Sequence, residues 1–546
     1  MVGIKSELKV ERKLLTILLL LTALLGRAQV TDTFGLFTDR DLYASGEFIL
    51  IKVFTPTSVP SGIVGIDLVS STGNKVTAAF LEVKDQQADG FIELPDSLSS
   101  GTYLLRSSTR TGTAQTWKEL YIANRFKGLP ESNAFPRLSA GDPAQGINVQ
   151  TIQLEGIEKA YSRKANGHFL LRLPPEIAIQ KDNSLSVCIS REVQGYHTHS
   201  FPVIVDKKSD PSIGNDGTII EGTILDQETA HPFKNAVVML SVPDSVPGFK
   251  YCTTGENGRF IFKLTNYYGK IPVVVQCYDP EKKRLLKIVR SNPENFSASL
   301  PTLVNQEFSA DLLKMIAKNI ESANYRKIFQ QQELVIRPKP VALAEKYPFW
   351  GVPSQVIYPK LFIDLPNFDE ISRELLPLVK FRSYNRNPTL QVFNVQRNNF
   401  FSDQPLLLLN GVPVRDLNDI KEMGTREIDR IEIAQSERFN GNLRFPGVVA
   451  ISNRKLDCSR IKESDELIKL TLDAVQPPYA INPPLEHPGK EPDLRQVLLW
   501  QPSLKPEQTM EINFRTSDIR GTFKITIRGK GNDGKIFSRE QIFEVN

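Results

Sequence analysis

Histidine and cysteine are scarce, at five and four in 546 residues, and this limits the chemistry open to the chain. His168, His197, His199, His231 and His487 form no H-E-x-x-H zinc motif, and there is no G-x-S-x-G elbow for any of them to serve. His197 and His199 make an H-x-H pair whose rings would share one face of a strand. Two imidazoles only begin a zinc site, no third ligand lies nearby in sequence, and a polar strand edge or loop is the reading preferred for the pair. No G-x-x-x-x-G-K-[ST] phosphate loop occurs. Asp369 and Glu370 adjoin, but catalytic carboxylates are defined by their spacing in space. The run F-D-E-I-S-R-E-L-L-P reads instead as a short amphipathic helix with Phe368, Ile371 and Leu375 as its buried stripe. The composition therefore predicts no catalytic residue, no metal ligand and no cofactor, and a chain that is not an enzyme.

A concentrated basic face is also lacking. The net charge is +5, and the first 28 residues hold five Lys/Arg against two Glu, which argues against nucleic acid as a partner. No stretch after residue 28 approaches 18 consecutive apolar residues, so no transmembrane helix is expected there. The cysteines, Cys188, Cys252, Cys277 and Cys458, form no C-x-x-C pair. In an oxidising compartment Cys252 and Cys277 are the best candidates for a bridge, closing about 25 residues; buried free thiols are the preferred reading.

What is present begins with a targeting signal. Lys5, Lys9, Arg12 and Lys13 precede an apolar run at 14–25, too short to span a bilayer core of about 30 Å, and Gly26-Arg27-Ala28 supplies small residues for cleavage before Gln29. An uncleaved anchor is the alternative. No Cys lies near that site to carry a lipid. Export places the mature chain in the periplasm or at the cell surface.

The remainder suggests several domains, at roughly 100–150 residues each. The predicted fold is multi-domain and mainly β. After the signal peptide (1–28) come a β-sandwich (29–140), a second Ig-like β domain (141–212), a third sandwich (213–300), a helical segment and connector (301–358), an α+β domain (359–456) and a C-terminal sandwich (457–546). Within 29–140, F-I-L-I-K-V-F follows the turn Y-A-S-G-E, whose Gly46 can take positive φ. In 213–300, Asn257-Gly258 signals a hairpin. In 301–358, Leu312, Leu313, Ile316, Ile320 and Ala323 recur at helical spacing, with Ser309 placed as N-cap and Asp311 in the first turn. In 359–456, Asn410-Gly411 suits a type I′ turn, and Asp533-Gly534 marks a hairpin near the C-terminus.

Three resemblances follow from these motifs. T-D-R-D-L-Y-A-S-G-E (38–47) and L-P-D-S-L-S-S-G-T-Y-L-L-R (94–106) resemble the second domain of α-macroglobulin-like proteins, and the C-terminal strands resemble macroglobulin-type sandwiches. The order G-x-I-x-D, P-x-x-x-A-x-V and T-x-x-x-x-G-x-F in 222–260 resembles carboxypeptidase regulatory-like domains, which carry no catalytic residues. P-L-L-L-L-N-G-V-P, I-D-R-I-E-I and F-N-G-x-x-x-x-P-G-V-V in 405–449 resemble the plug of TonB-dependent outer-membrane receptors, with Asn410 where that family usually has Asp. The residues three after each cysteine are Arg191, Gly255, Pro280 and Ile461, never Gln, so the Cys–Gln thioester of protease-trapping macroglobulins cannot form.

About 90 residues follow Lys455, too few for a barrel of about 22 strands. These resemblances imply a non-catalytic envelope protein that docks on or braces an outer-membrane barrel protein or envelope complex through sheet edges. A spacer in a rod of sandwiches is the plainer reading of the plug-like domain. A glycan- or peptide-binding module is the alternative from another class, with Phe349, Trp350 and Tyr358 as its aromatic platform, although core packing is the preferred reading of these rings. A hydrolase accessory is a third.

Overall fold

A computed structural model describes residues 34–110, 114–128, 134–138, 147–148, 152–175, 185–193, 196, 200–204, 217–291, 300–329, 334–339, 347–384, 387–482, 491–531 and 534–546, positions 57 and 60 excepted. The signal segment, His197, His199, His487 and Asp533 lie outside the described residues. The chain is mainly β and divides into two compact units, one of residues 1–216, 297–339 and 478–546, the other of 217–296 and 340–477.

The first unit holds two sandwiches. In the first, Gly35–Thr38, Phe48–Phe54 and Gln87–Glu93 face a sheet ordered Ser200–Ile204, Ala114–Ala123, Gly101–Thr109, Gly62–Ser70 and Lys75–Val83. Leu36, Ile49, Ile51, Val64, Ile66 and Leu105 fill its core. The Y-A-S-G-E segment turns as expected, with Gly46 at φ +80°.

The second sandwich corrects the domain order. Asn166–Arg172 pairs with Thr509–Arg515, and Leu185–Arg191 lies between Val497–Leu504 and Gly521–Lys530. Most of the segments expected as separate sandwiches at 141–212 and 457–546 thus form one fold around Phe169, Ile189, Ile512, Phe523 and Ile525, while Ser200–Ile204 joins the first sandwich. Neither half could bury its apolar faces alone. The hairpin closing on Gly534 (φ +74°) is present, joining Gly521–Lys530 to Ile536–Val545.

The helix Ala310–Ile328 packs on the first sandwich through Leu312, Ile316 and Ile320, against Leu42, Tyr121 and Phe135. Ser309 caps it, accepting from the Leu312 N–H. Helical structure does not extend over the whole expected segment: Leu303–Glu307 is a strand paired with Ala134–Leu138.

Between the two sandwiches Lys52 is fully buried, donating to Gln87 Oε1 at 2.8 Å and Ser503 Oγ at 3.2 Å. Burial pulls its pKa down to about 8, against the opposing pull of Asp89. Between about pH 8 and the ordinary 10.5 the unfolded chain holds a proton that the folded chain has released, so stability should rise with pH across that window. The stability difference between the parent and Lys52→Met, measured by denaturation at pH 8 and 10.5, should grow accordingly; a flat difference contradicts it.

The second unit joins a sandwich to an α+β domain. In the sandwich, Arg259–Leu264, Thr218–Asp226 and Leu286–Ser291 oppose Gly248–Thr253, Val237–Val242, Lys270–Tyr278 and Leu467–Asp473. Leu467–Asp473 therefore belongs to this sandwich and not to the C-terminal one. The hairpin expected at Asn257-Gly258 is also corrected. Gly258 does turn at φ +65°, but Gly248–Thr253 and Arg259–Leu264 enter different sheets because each finds another partner, Val237–Val242 and Thr218–Asp226.

Cys252 and Cys277 stand opposite Val238 from its two sides, so a whole strand separates them and both are free thiols. Burial pushes Cys252 up to about 11 and Cys277 up to about 12, which keeps both protonated and unreactive near neutrality.

The α+β domain is a mixed sheet ordered Gln355–Ile357, Arg430–Ala434, Val448–Ser452, Leu406–Leu409 and Val412–Pro413, with a second small sheet of Val379–Tyr384, Asn387–Asn394 and Asn399–Phe400. The helix Phe368–Leu375, capped by Asn367, places Phe368 and Ile371 in the core and leaves Leu375 partly buried against it. This domain starts before the expected boundary at 359, since Gln355–Ile357 is one of its strands.

Candidate docking surface

Three kinds of feature bear on what the molecule can do. The first is the charged set in T-D-R-D-L-Y-A-S-G-E. Asp39, Arg40 and Glu47 are buried, not displayed. Asp39 Oδ1 accepts from the Tyr43 hydroxyl and the Leu50 N–H, both at 2.8 Å. Arg40 pairs with Asp39 at 3.2 Å and with Glu47 at 3.4 Å. Glu47 also accepts from the Ala44 N–H at 2.7 Å and pairs with Arg326 from the last turn of the helix Ala310–Ile328. Burial alone would raise the Glu47 carboxyl, but the Arg40 and Arg326 guanidiniums hold it below its ordinary range. The motif is thus a structural clamp that fixes the helix to the sandwich.

The second is the aromatic group. Trp350 is only 3% exposed and donates its indole N–H to Glu432 Oε2 at 3.2 Å. Phe349 packs edge-on against Trp350 and stacks on Phe249, with ring centroids 5.2 Å and 4.5 Å away. Of the three residues offered as a platform only Tyr358 is exposed, and Trp350 packs in the core, as the preferred reading has it. The three rings do not make one platform, because Phe349 and Trp350 pack between the α+β sheet and the neighbouring sandwich.

The third is open sheet edge and exposed apolar surface. Lys75–Val83 is a nine-residue strand at the end of its sheet, paired with Gly62–Ser70 on one side only among the described residues. Ala78 and Glu82 are exposed along it, and Phe80 is half-buried. Its outer N–H and C=O groups offer a template for another strand. In the α+β domain, Gln355–Ile357 is also terminal, and the chain after it exposes Leu361 by 73%, Phe362 by 57% and Ile363 by 67%. Neither feature follows from periodicity, since apolar residues in sequence read first as core.

The Asn410-Gly411 turn forms as the dipeptide implies, with φ +52° and +83° and Leu409 opposite Val412. Asn410 is buried and uses both ends of its amide: Oδ1 accepts from the Asn453 N–H at 2.9 Å, and Nδ2 donates to the Asp457 carbonyl at 2.8 Å. A carboxylate could not make the second bond, which accounts for Asn at this position.

Among the described residues no grouping of three or more His, Cys, Asp or Glu is placed to hold a metal, and no helix is long and apolar enough to cross a membrane. His168 is exposed on its strand and His231 is exposed in a turn.

No family model matches the chain, and no curated protein matches it in sequence. Among solved structures it is similar to α-2-macroglobulin from Salmonella reacted with methylamine, at 8% identity and a TM-score of 0.23, over 94% of this chain and 39% of that one. It is similar to native α-2-macroglobulin of E. coli at 11% identity and a TM-score of 0.24, over 95% and 40% respectively. A tetra-tandem repeat from the extending region of a large adhesion protein matches at 10% identity and a TM-score of 0.13, over 94% and 100%. The chain spans about two fifths of the length of the macroglobulins it matches. The likeness at these scores assigns no activity or partner.

Proposed function

We propose that the chain is a non-catalytic, exported envelope protein that docks on or braces an outer-membrane protein assembly, with the plug-like α+β domain and the sandwiches acting as binding modules. The observation that carries this reading is the nine-residue open edge Lys75–Val83, long enough for a partner strand to add by main-chain pairing. The basic and apolar N-terminal run supports export, and the plug-like order of motifs in 405–449 supports a setting at the outer membrane.

Purification of the tagged protein from membranes in mild detergent should recover an outer-membrane barrel protein in stoichiometric amount. Ala78→Lys with Phe80→Lys, which places two charges along the edge, should reduce that recovery at least about ten-fold without lowering the thermal midpoint. Recovery of a lone chain rejects the docking function and leaves the plug-like domain as a spacer.

A further inference from the structure

We infer that residues 358–363 form a lipid-anchoring tip that inserts into the headgroup region of an anionic bilayer surface. Leu361, Phe362 and Ile363 are consecutive, large, apolar and each more than half exposed, with Tyr358 exposed before them. Single exposed apolar side chains are ordinary on a soluble protein; three in succession at one loop tip are not.

The tip is held rigidly. Pro359–Leu361 is a tight 3-10 turn in which the Leu361 N–H donates to the Tyr358 carbonyl and the Phe362 N–H to the Pro359 carbonyl, each at 3.0 Å. Below it, Leu365 is buried and exchanges bonds with Thr425: its N–H donates to Oγ1 at 3.1 Å and its carbonyl accepts from the Thr425 N–H at 3.0 Å. Leu361 ends the turn and Phe362 leaves it in an extended conformation, so the three exposed side chains do not line up as one helical stripe. A compact, rigid apolar tip without such a stripe suits entry into a fluid layer better than the fitting of one groove.

The charges around the tip select the occupant. Lys360 pairs with Asp429 at 2.8 Å, Arg454 with the same carboxylate at 3.2 Å, and Arg426 with Asp364 at 2.5 Å. These pairs draw the loops at 359–365, 424–430 and 453–455 together. Lys360, Arg426, Arg454 and Lys455 are all exposed and outnumber Asp364, Asp429 and Asp457 by four to three, while Glu427 is occupied by Arg460. An apolar tip ringed by excess cation is the pattern of a peripheral anchor on anionic lipid.

A bilayer within reach follows only from the envelope reading above, on which this site depends. The lipid experiment itself needs no partner protein, so either idea can fail alone. The full chain carrying Phe362→Trp is mixed with vesicles of phosphatidylethanolamine containing roughly one quarter phosphatidylglycerol. The new indole should shift its emission to the blue relative to the unsubstituted chain and be quenched by lipids brominated along the acyl chain. Phosphatidylcholine vesicles, or Arg454→Gln with Lys455→Gln, should weaken the effect at least several-fold. Leu361→Ser with Ile363→Ser in the Phe362→Trp background should abolish it while leaving the thermal midpoint unchanged. An indole that stays in water with anionic vesicles overturns the inference. So does a shift that survives the double serine substitution. Loss of a co-purifying protein on the serine substitutions, with no response to lipid, overturns it in favour of a protein contact.

Discussion

Glu47→Ala should destabilise the first unit by about 3–5 kcal/mol, the range for removing one member of a buried ion pair. Glu47, Arg40 and Arg326 have side chains no more than 7% exposed, and the glutamate is the carboxylate that Arg40 and Arg326 share. Asp39 remains beside Arg40 in the variant, so the larger loss falls on Arg326 and the helix end it anchors. Urea unfolding followed by hydrogen exchange over Phe48–Phe54 isolates this unit. Glu47→Met with Arg326→Met removes both charges and should recover part of the loss. A change under about 1 kcal/mol for Glu47→Ala would show that the pair is solvated. The pH dependence has a definite sign. Because the folded carboxyl titrates below its unfolded value, its stabilisation is present above the ordinary carboxylate range and is lost as pH falls through the lower, folded pKa. Acid should therefore loosen the helix Ala310–Ile328 from the sandwich, and the Met–Met variant should lack that transition.

Trp350→Ala should cost the α+β domain about 3–5 kcal/mol, the range for truncating a buried aromatic to alanine. Its ring packs with Leu408, Ala434, Val448 and Ala450 on one face of the sheet, and its loss would leave a cavity there and a buried Glu432 carboxylate without its indole donor. Arg430 still pairs with Glu432 at 3.0 Å, which limits the electrostatic part of the cost. Thermal unfolding with hydrogen exchange over Val448–Ser452 measures it. A stable variant would mean that the sheet holds this face without the ring. Loss of ligand affinity in this variant would report unfolding, which is why Tyr358, exposed on the same connector, is the residue to substitute when testing glycan binding.

Local signals in the sequence translated directly into local structure. Ser309 caps the helix it precedes, Phe368 opens the short amphipathic helix, and Asn410-Gly411 makes its two-residue turn. Each of these is decided within a few residues by a side chain reaching its own backbone or by a φ that only certain residues adopt. Asn257-Gly258 marks the limit of such signals. The turn formed, but a turn specifies reversal of the chain and not which strand lies alongside. Nor do strand patterns carry addresses: Leu185–Arg191 and Gly521–Lys530 each read as half of a sandwich, and nothing in either names the other across more than three hundred residues.

By itself the sequence determined the mainly β class, the turns and caps, the absence of a Cys–Gln thioester and of recognisable catalytic motifs, and an N-terminal run with the pattern of an export signal. Only the tertiary structure decided that distant segments share one sandwich, that Cys252 and Cys277 lie on either side of Val238, that Trp350 is core, and that Leu361, Phe362 and Ile363 are surface. The division has a physical cause. Hydrophobicity makes a residue seek burial wherever complementary surface exists, and whether that surface exists depends on which distant strands meet, a choice made by the packing of the whole chain.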